Sequence, residues 1–306
     1  MEFRILGPLA LTTGEPGVLG GNRERKILAA LILLANQSVT TDFLIDVIWQ
    51  DSPPHTARQQ VQNCVGAVRS RLRRHGVSAE ISRRSTSYRL QIAEDQADVL
   101  VFRRLCEQAD EFAARGDIDA GVARLQTALD LWQGHVLEDV DSAALAGHVT
   151  ALEEDRIRAI ELYVRLEMSR RRARAVLPGL SGWARQYPYH EGLHCSLAEA
   201  LRTAGRTADA VQVLHELRRR LRDDLGIEAG TPVLELGHRL LGRPQRVRVP
   251  AVALPAGTLP AGTLPAGTLP AGTLPAGSDD LVRTIESAMS SLSTVLELLT
   301  REDRLV

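Results

Sequence analysis

Apolar positions along this chain change their period several times, and the changes divide it into parts. Residues 2 to 20 hold short apolar stretches, Phe3-Arg4-Ile5-Leu6 and Leu9-Ala10-Leu11, broken by Gly7-Pro8, Gly14 and Gly17. Apolar runs separated by turn formers predict a small antiparallel sheet. Helical spacing then takes over. A first helix is expected over about 22–36, and its apolar run from Ile27 to Ala35 belongs in a core. A second starts at the cap candidate Thr40 or Thr41 and carries Phe43, Leu44, Val47 and Ile48 on one face. Asp51-Ser52-Pro53-Pro54 stops it, because two prolines remove backbone donors and push their predecessors out of helical geometry. In a third helix, from near Thr56, Val61, Cys64, Val65, Val68 and Leu72 form one apolar stripe. Looser alternation from Glu80 to Ile92, around Ser85-Thr86-Ser87, predicts a short hairpin.

From about Asp98 to Leu241 the pattern is helical throughout. Leu105, Ala109 and Phe112 precede a turn at Gly116-Asp117, and Val122, Leu125, Ala128, Leu129 and Trp132 continue an apolar face beyond it. Ala113-Ala114-Arg115-Gly116-Asp117 and Arg202-Thr203-Ala204-Gly205-Arg206 are related corners, a recurrence that suggests a tetratricopeptide-like array. Stacked helix pairs of that kind build surfaces for protein partners. Leu-Pro-Ala-Gly then recurs five times between residues 254 and 277. Proline at every fifth residue excludes a helix, and the segment reads as a partly extended linker. Beyond it, Leu281, Ile285, Ala288, Leu292, Val295 and Leu299 follow a coiled-coil seam, suited either to self-association or to docking back on the helical part. The expected fold is mainly α: an N-terminal winged helix-turn-helix (α+β), then an all-α tetratricopeptide-like domain. The boundaries read as 1–95, 96–245, a linker at 246–277 and a terminal amphipathic helix at 278–306.

Charge alters the picture of the first part. The whole chain of 306 residues carries a formal net charge of -1. Yet the segment 51–92 holds Arg58, Arg69, Arg71, Arg73, Arg74, Arg83, Arg84 and Arg89 against only Asp51 and Glu80. A basic patch confined to one small unit is the footprint of a phosphate-backbone binder. Aromatics at 4% argue against a single-strand binder that stacks bases. Cys64, Cys106 and Cys195 are odd in number and lack a CxxC pair, which fits a reducing cytoplasm with neither disulfides nor a thiolate metal site. The run Ile27–Ala35 is too short to span a bilayer, so no membrane partner is expected.

The outward face of the third helix carries the chemistry. Arg58, Gln59, Gln62, Asn63, Gly66, Arg69 and Arg73 lie off the apolar stripe, and Arg, Gln and Asn are the side chains that read major-groove base edges by paired hydrogen bonds. Gly66 would let a backbone come close. Arg83, Arg84 and Arg89 on the hairpin would hold phosphates or a minor groove. The DNA-contacting set expected from sequence is therefore Arg58, Gln59, Gln62, Asn63, Arg69, Arg73, Arg83, Arg84 and Arg89.

Several motifs in register now resemble one family. They are Leu6-Gly7-Pro8-Leu9, Lys26-Ile27-Leu28-Ala29-Ala30-Leu31, Leu44-Ile45-Asp46-Val47-Ile48-Trp49, Pro53-Pro54 and Thr56-Ala57-Arg58. Later come Ala204-Gly205-Arg206, Ala208-Asp209-Ala210 and Leu225-Gly226-Ile227-Glu228-Ala229-Gly230. Over about residues 1–242 the chain resembles the Streptomyces antibiotic regulatory protein (SARP) family. That resemblance implies an OmpR-type winged helix joined to a bacterial transcriptional activation domain. It implies activation of secondary-metabolite genes through double-stranded promoter DNA, on direct repeats near the −35 region. It further implies contact with RNA polymerase and its sigma factor, two protomers on the DNA, and a nucleoid-associated cytoplasmic location. Two departures stand out. The family's hairpin usually closes through a glycine before the tyrosine, whereas this chain has Ser87-Tyr88-Arg89-Leu90, and Asn63-Cys64 occupies positions where bulkier residues are common.

One enzymatic pattern competes. His190-Glu191-Gly192-Leu193-His194 satisfies H-E-x-x-H, in which two histidines hold zinc and the glutamate acts as general base. No third ligand completes it, and the pattern opens a predicted helix inside the stretch that resembles a non-enzymatic family. No enzyme activity, cofactor or metal is expected. A helical protein-interaction scaffold with an incidental basic surface remains the alternative.

Overall fold

The computed structural model describes residues 2–12 and 19–242; the expected linker at 246–277 and terminal helix at 278–306 lie outside the described residues. The N-terminal elements are strands β1 (Phe3–Arg4) and β2 (Ala10–Leu11), helix α1 (Asn22–Leu33), strand β3 (Val39–Thr40), helices α2 (Thr41–Trp49) and α3 (Ala57–Arg74), and strands β4 (Glu80–Arg84) and β5 (Ser87–Gln91). Helices α1, α2 and α3 bury one face each against a sheet ordered β3-β5-β4, which is the winged helix-turn-helix expected from the pattern. Strand β3 escapes a reading by periodicity because it is only two residues long. It pairs Val39 with Tyr88 and Thr40 with Ser87, and so ties the entry of α2 to the hairpin.

Thr40, not Thr41, caps α2: its hydroxyl accepts the Phe43 N–H at 3.1 Å. Thr41 serves another end. Its backbone N–H and its hydroxyl both donate to the Thr86 carbonyl at 2.7 Å, clipping the hairpin tip to the helix start. Helix α2 ends at the cap residue Gln50, held at φ +54°, three residues before the proline pair.

Among the described residues seven α-helices follow: α4 (Asp98–Ala114), α5 (Ile118–Leu129), α6 (Ala146–Ser169), α7 (Ala173–Gln186), α8 (Glu191–Thr203), α9 (Thr207–Leu225) and α10 (Thr231–Leu240). They form three helix pairs and a closing helix. At each pair's corner one residue takes the left-handed conformation, Gly116 at φ +80°, Arg171 at +59° and Gly205 at +84°. The next N–H reaches back five residues: Asp117 to Phe112 at 2.9 Å, Arg172 to Glu167 at 3.0 Å and Arg206 to Leu201 at 2.8 Å. Positions 171 and 205 are separated by the 34-residue period of tetratricopeptide repeats. The α6–α7 corner is hidden in the sequence, because an arginine stands where glycine marks the other two. Arg170 beside it bridges to Asp119 at 2.7 Å and to Glu167 at 3.2 Å, so that charge serves as a tie between repeats as well as a helix terminus.

The core does not break near residue 96. One continuous apolar cluster runs from Phe3, Ile5 and Leu6 through Leu31, Leu44, Val65 and Leu90 to Phe102, Leu125 and Leu152. A second cluster fills α7 to α10. What joins the winged helix to the helices is polar as well. The buried Asp98 carboxylate accepts the N–H groups of Ile5, Leu6 and Val99 at 2.7–3.0 Å. The Leu6 carbonyl accepts Gln133 N–H at 2.7 Å, Leu9 N–H donates to Asp139 at 2.8 Å, and Arg25 pairs with Asp139. Thus Ile5–Leu9 is largely a docking seam, and the N-terminal sheet is shorter than its apolar pattern suggests.

The loop between α5 and α6 is pinned from its other side. Arg156, 6% exposed, lies 4.4 Å over the Trp132 ring and donates to the Gly134 carbonyl and the Tyr187 hydroxyl. Tyr187 donates to Glu153 at 2.6 Å, and Glu153 accepts Val136 N–H at 3.0 Å. Burial and the bond to Glu153 push the Tyr187 phenol well above its ordinary range, so it stays protonated. Among the described residues no helix is long and apolar enough to cross a membrane.

Candidate nucleic-acid interface

Helix α3 buries Ala57, Val61, Val65, Val68 and Leu72 and leaves the opposite side open. Gln59, Asn63, Gly66, Ser70 and Arg73 are exposed at helical spacing, and Gln62 is half-buried beside them. At 1.5 Å per residue this stripe is about 21 Å long, enough to track a major groove through several base pairs. A Cβ placed on Gly66 would meet nothing within 4 Å, so no internal packing requires a glycine there. That leaves helix propensity sacrificed on an open surface.

The polar residues of this face are partly pre-ordered. Gln59 donates its amide to Asn63 at 3.2 Å, one turn along. Arg58 lies on the flank and donates to Asp42 of α2 at 2.7 Å. Arg69, half-buried on the same flank, donates through Nε to the Ile81 carbonyl of β4 at 2.8 Å. Arg69 therefore fixes the hairpin to α3, a role the sequence does not reveal. Arg71 points to the other flank, at 3.4 Å from Glu24 of α1, and leaves the basic face altogether. Burial, reinforced by the Glu24 charge, pushes the Cys64 thiol up, so Cys64 packs as a neutral side chain.

On the hairpin the register separates the arginines. Arg83 pairs with Tyr88 and stacks its guanidinium 5.8 Å from that ring, on the side of Ile81 and Leu90. Arg84 and Arg89 stand opposite Ser87 and Ser82 on the outer side. The turn closes without glycine; Ser85 takes φ +53°, and Arg83 Nε donates to its carbonyl at 3.2 Å. Among the described residues Arg69, Arg73, Arg74, Arg83, Arg84 and Arg89 form no ion pair. The nine residues expected from sequence thus form an open stripe on α3, one flank and a wing, with Arg58 and Arg69 already engaged internally. Sequence reasoning missed the Asp42 contact with Arg58, because the α2 pattern gives no sign that it meets α3.

The H-E-x-x-H residues are spent on structure. His190 caps α8, its Nδ1 accepting Leu193 N–H at 3.2 Å. Glu191 accepts the Gly230 N–H at 3.0 Å and 3.1 Å and so fastens the approach to α10. His194 is buried and its Nδ1 lies 3.0 Å from the His190 carbonyl; burial holds its pKa down.

Comparison with known proteins agrees with this architecture. The bacterial transcriptional activator domain family matches residues 97–241. Regulatory protein DnrI of Streptomyces peucetius is 30% identical over 250 residues, covering 79% of this chain and 92% of that protein. Regulatory protein AfsR of Streptomyces coelicolor is 30% identical over 243 residues, 24% of its own length. The transcriptional regulatory protein EmbR of Mycobacterium bovis is 31% identical, and this chain spans 63% of it. The solved structure of Mycobacterium tuberculosis EmbR, in complex with a low affinity phosphopeptide, superposes with a TM-score of 0.69 over 78% of this chain and 64% of that one.

Proposed function

Because this chain belongs to the Streptomyces antibiotic regulatory protein family of transcriptional activators, we propose that it reads double-stranded promoter DNA with α3 and holds the backbone with its wing. Residues 1–95 act as the DNA-binding domain and 96–245 as the activation domain. Arg58, Gln59, Gln62, Asn63, Arg69 and Arg73 face the major groove; Arg83, Arg84 and Arg89 hold phosphates or the minor groove. The genes it serves are those of antibiotic biosynthesis, two protomers sit on direct repeats near the −35 region, and the helical domain contacts RNA polymerase and its sigma factor. It works at the cytoplasmic nucleoid and without enzymatic activity. The observation that carries the reading is the exposed Gln, Asn and Arg stripe on α3 beside a basic wing that forms no ion pair among the described residues. A gel-shift titration on the promoter nearest its own gene tests it, using wild type and Arg58→Ala plus Gln62→Ala at two salt concentrations. Specific binding should vanish in the double variant while weak, salt-sensitive binding persists. No specific shift on any neighbouring promoter would favour a helical scaffold instead.

A further inference from the structure

The N-terminal end of α3 carries one feature that general phosphate attraction does not explain. Asp42, in the first turn of α2, puts a carboxylate at the edge of a face whose only other charges are arginines. An anion there repels the DNA backbone and lowers affinity for every duplex. Its side chain and that of Arg58 are both well exposed, at 67% and 61%, so the pair contributes little to stability. What the bond does is geometric. Arg58 Nη2 is held at 2.7 Å from Asp42 Oδ1. An arginine has five N–H donors in a planar fork, and one bond to a carboxylate leaves enough of them for a bidentate pair with guanine O6 and N7.

The helix start that carries Asp42 is itself held in place. The Thr40 hydroxyl caps α2 next to it, Thr41 is clipped to Thr86, and α2 packs through Phe43 against His148 of α6 at a ring separation of 5.9 Å. A carboxylate on a fixed helix start restrains the position of the guanidinium that it binds. We infer that Asp42 is a positioning residue for base recognition, setting Arg58 to read one guanine, and that α3 therefore discriminates most strongly at its N-terminal end. This inference rests on the DNA-reading proposal above. The bland alternative is that Asp42 merely favours the positive end of the α2 dipole.

The two agree that loss of the charge tightens binding to non-specific duplex, and they differ on base preference. If Asp42 only balances the helix dipole, Asp42→Ala should strengthen binding to all duplexes alike by removing a negative charge. If it positions Arg58, Asp42→Ala should raise affinity for non-specific duplex while losing preference at one base pair. Binding-site selection from a randomised pool of short duplexes, with the full chain, reads both at once. Wild type should select guanine at one position per half-site. Arg58→Ala and Asp42→Ala should lose preference at that same position by on the order of tenfold, the other positions being retained. Full retention of that guanine preference in Asp42→Ala overturns the inference and leaves the DNA-reading proposal intact. Failure of wild type to select any sequence overturns both.

Discussion

At the scale of single residues, two positions separate stability from function. Gly66 has open space where its side chain would be, and alanine there should raise helix stability by up to about 1 kcal/mol. On an approach surface the added methyl should weaken specific DNA binding at the same time. Thermal denaturation together with gel shift on the Gly66→Ala variant checks this, and improved stability with undiminished binding would remove Gly66 from the interface. His194 makes a pH prediction. Burial depresses its pKa, so it is neutral in the folded chain, whereas the unfolded chain takes up a proton below about 6.5. Its contribution is therefore present above that pH and lost as pH falls. The denaturation midpoint should drop between pH 7.5 and 5.5, and His194→Gln should flatten the drop.

Among elements, the wing and the second repeat corner behave differently from what their composition suggests. Arg84 and Arg89 lie on the outer side of the hairpin with no ion pair among the described residues. Replacing each with alanine should weaken all DNA sequences about equally and reduce the slope of log affinity against log salt by about 1. A change in base preference instead would move these residues to groove reading. Arg171 holds a left-handed corner that glycine occupies in the flanking repeats. Arg171→Gly should stabilise the chain by about 1 kcal/mol or less, since relief of strain is offset by glycine's greater freedom when unfolded. Urea denaturation is the measurement, and a loss of stability would show that the arginine side chain matters more than the backbone strain. Both elements were legible as types from the sequence, a hairpin and a helical run. The sidedness of the arginines was not, because it follows from strand register, and the α6–α7 corner was not, because its marker glycine is absent.

For the whole molecule, winged helix and helical array share one apolar cluster and a polar seam centred on Asp98. Asp98→Ala would leave the N–H groups of Ile5, Leu6 and Val99 buried without that acceptor, at a cost of roughly 3 kcal/mol or more. Denaturant unfolding should show that loss, and a change under 1 kcal/mol would mean the seam is solvated. Elsewhere α2 is tied to the segment before α6 by the Ser142 hydroxyl, which donates to the Val47 carbonyl at 2.8 Å, and to α6 itself by the Phe43–His148 contact.

The sequence by itself determined most of the helices, the hairpin and the sign of the surface. Apolar stripes such as Val61, Val65, Val68 and Leu72 fix which side of α3 faces inward, because period alone sets the buried face. Turn chemistry at Pro53-Pro54, Gly116 and Gly205 fixes where helices stop. Only the tertiary structure decided partners. Arg69 turning to the Ile81 carbonyl, Arg71 to Glu24, Arg58 to Asp42 and Asp98 to Ile5 and Leu6 join positions between 12 and 93 residues apart. Local pattern carries no record of such meetings; they arise when separate elements pack and bring polar groups far apart in the chain within hydrogen-bonding reach.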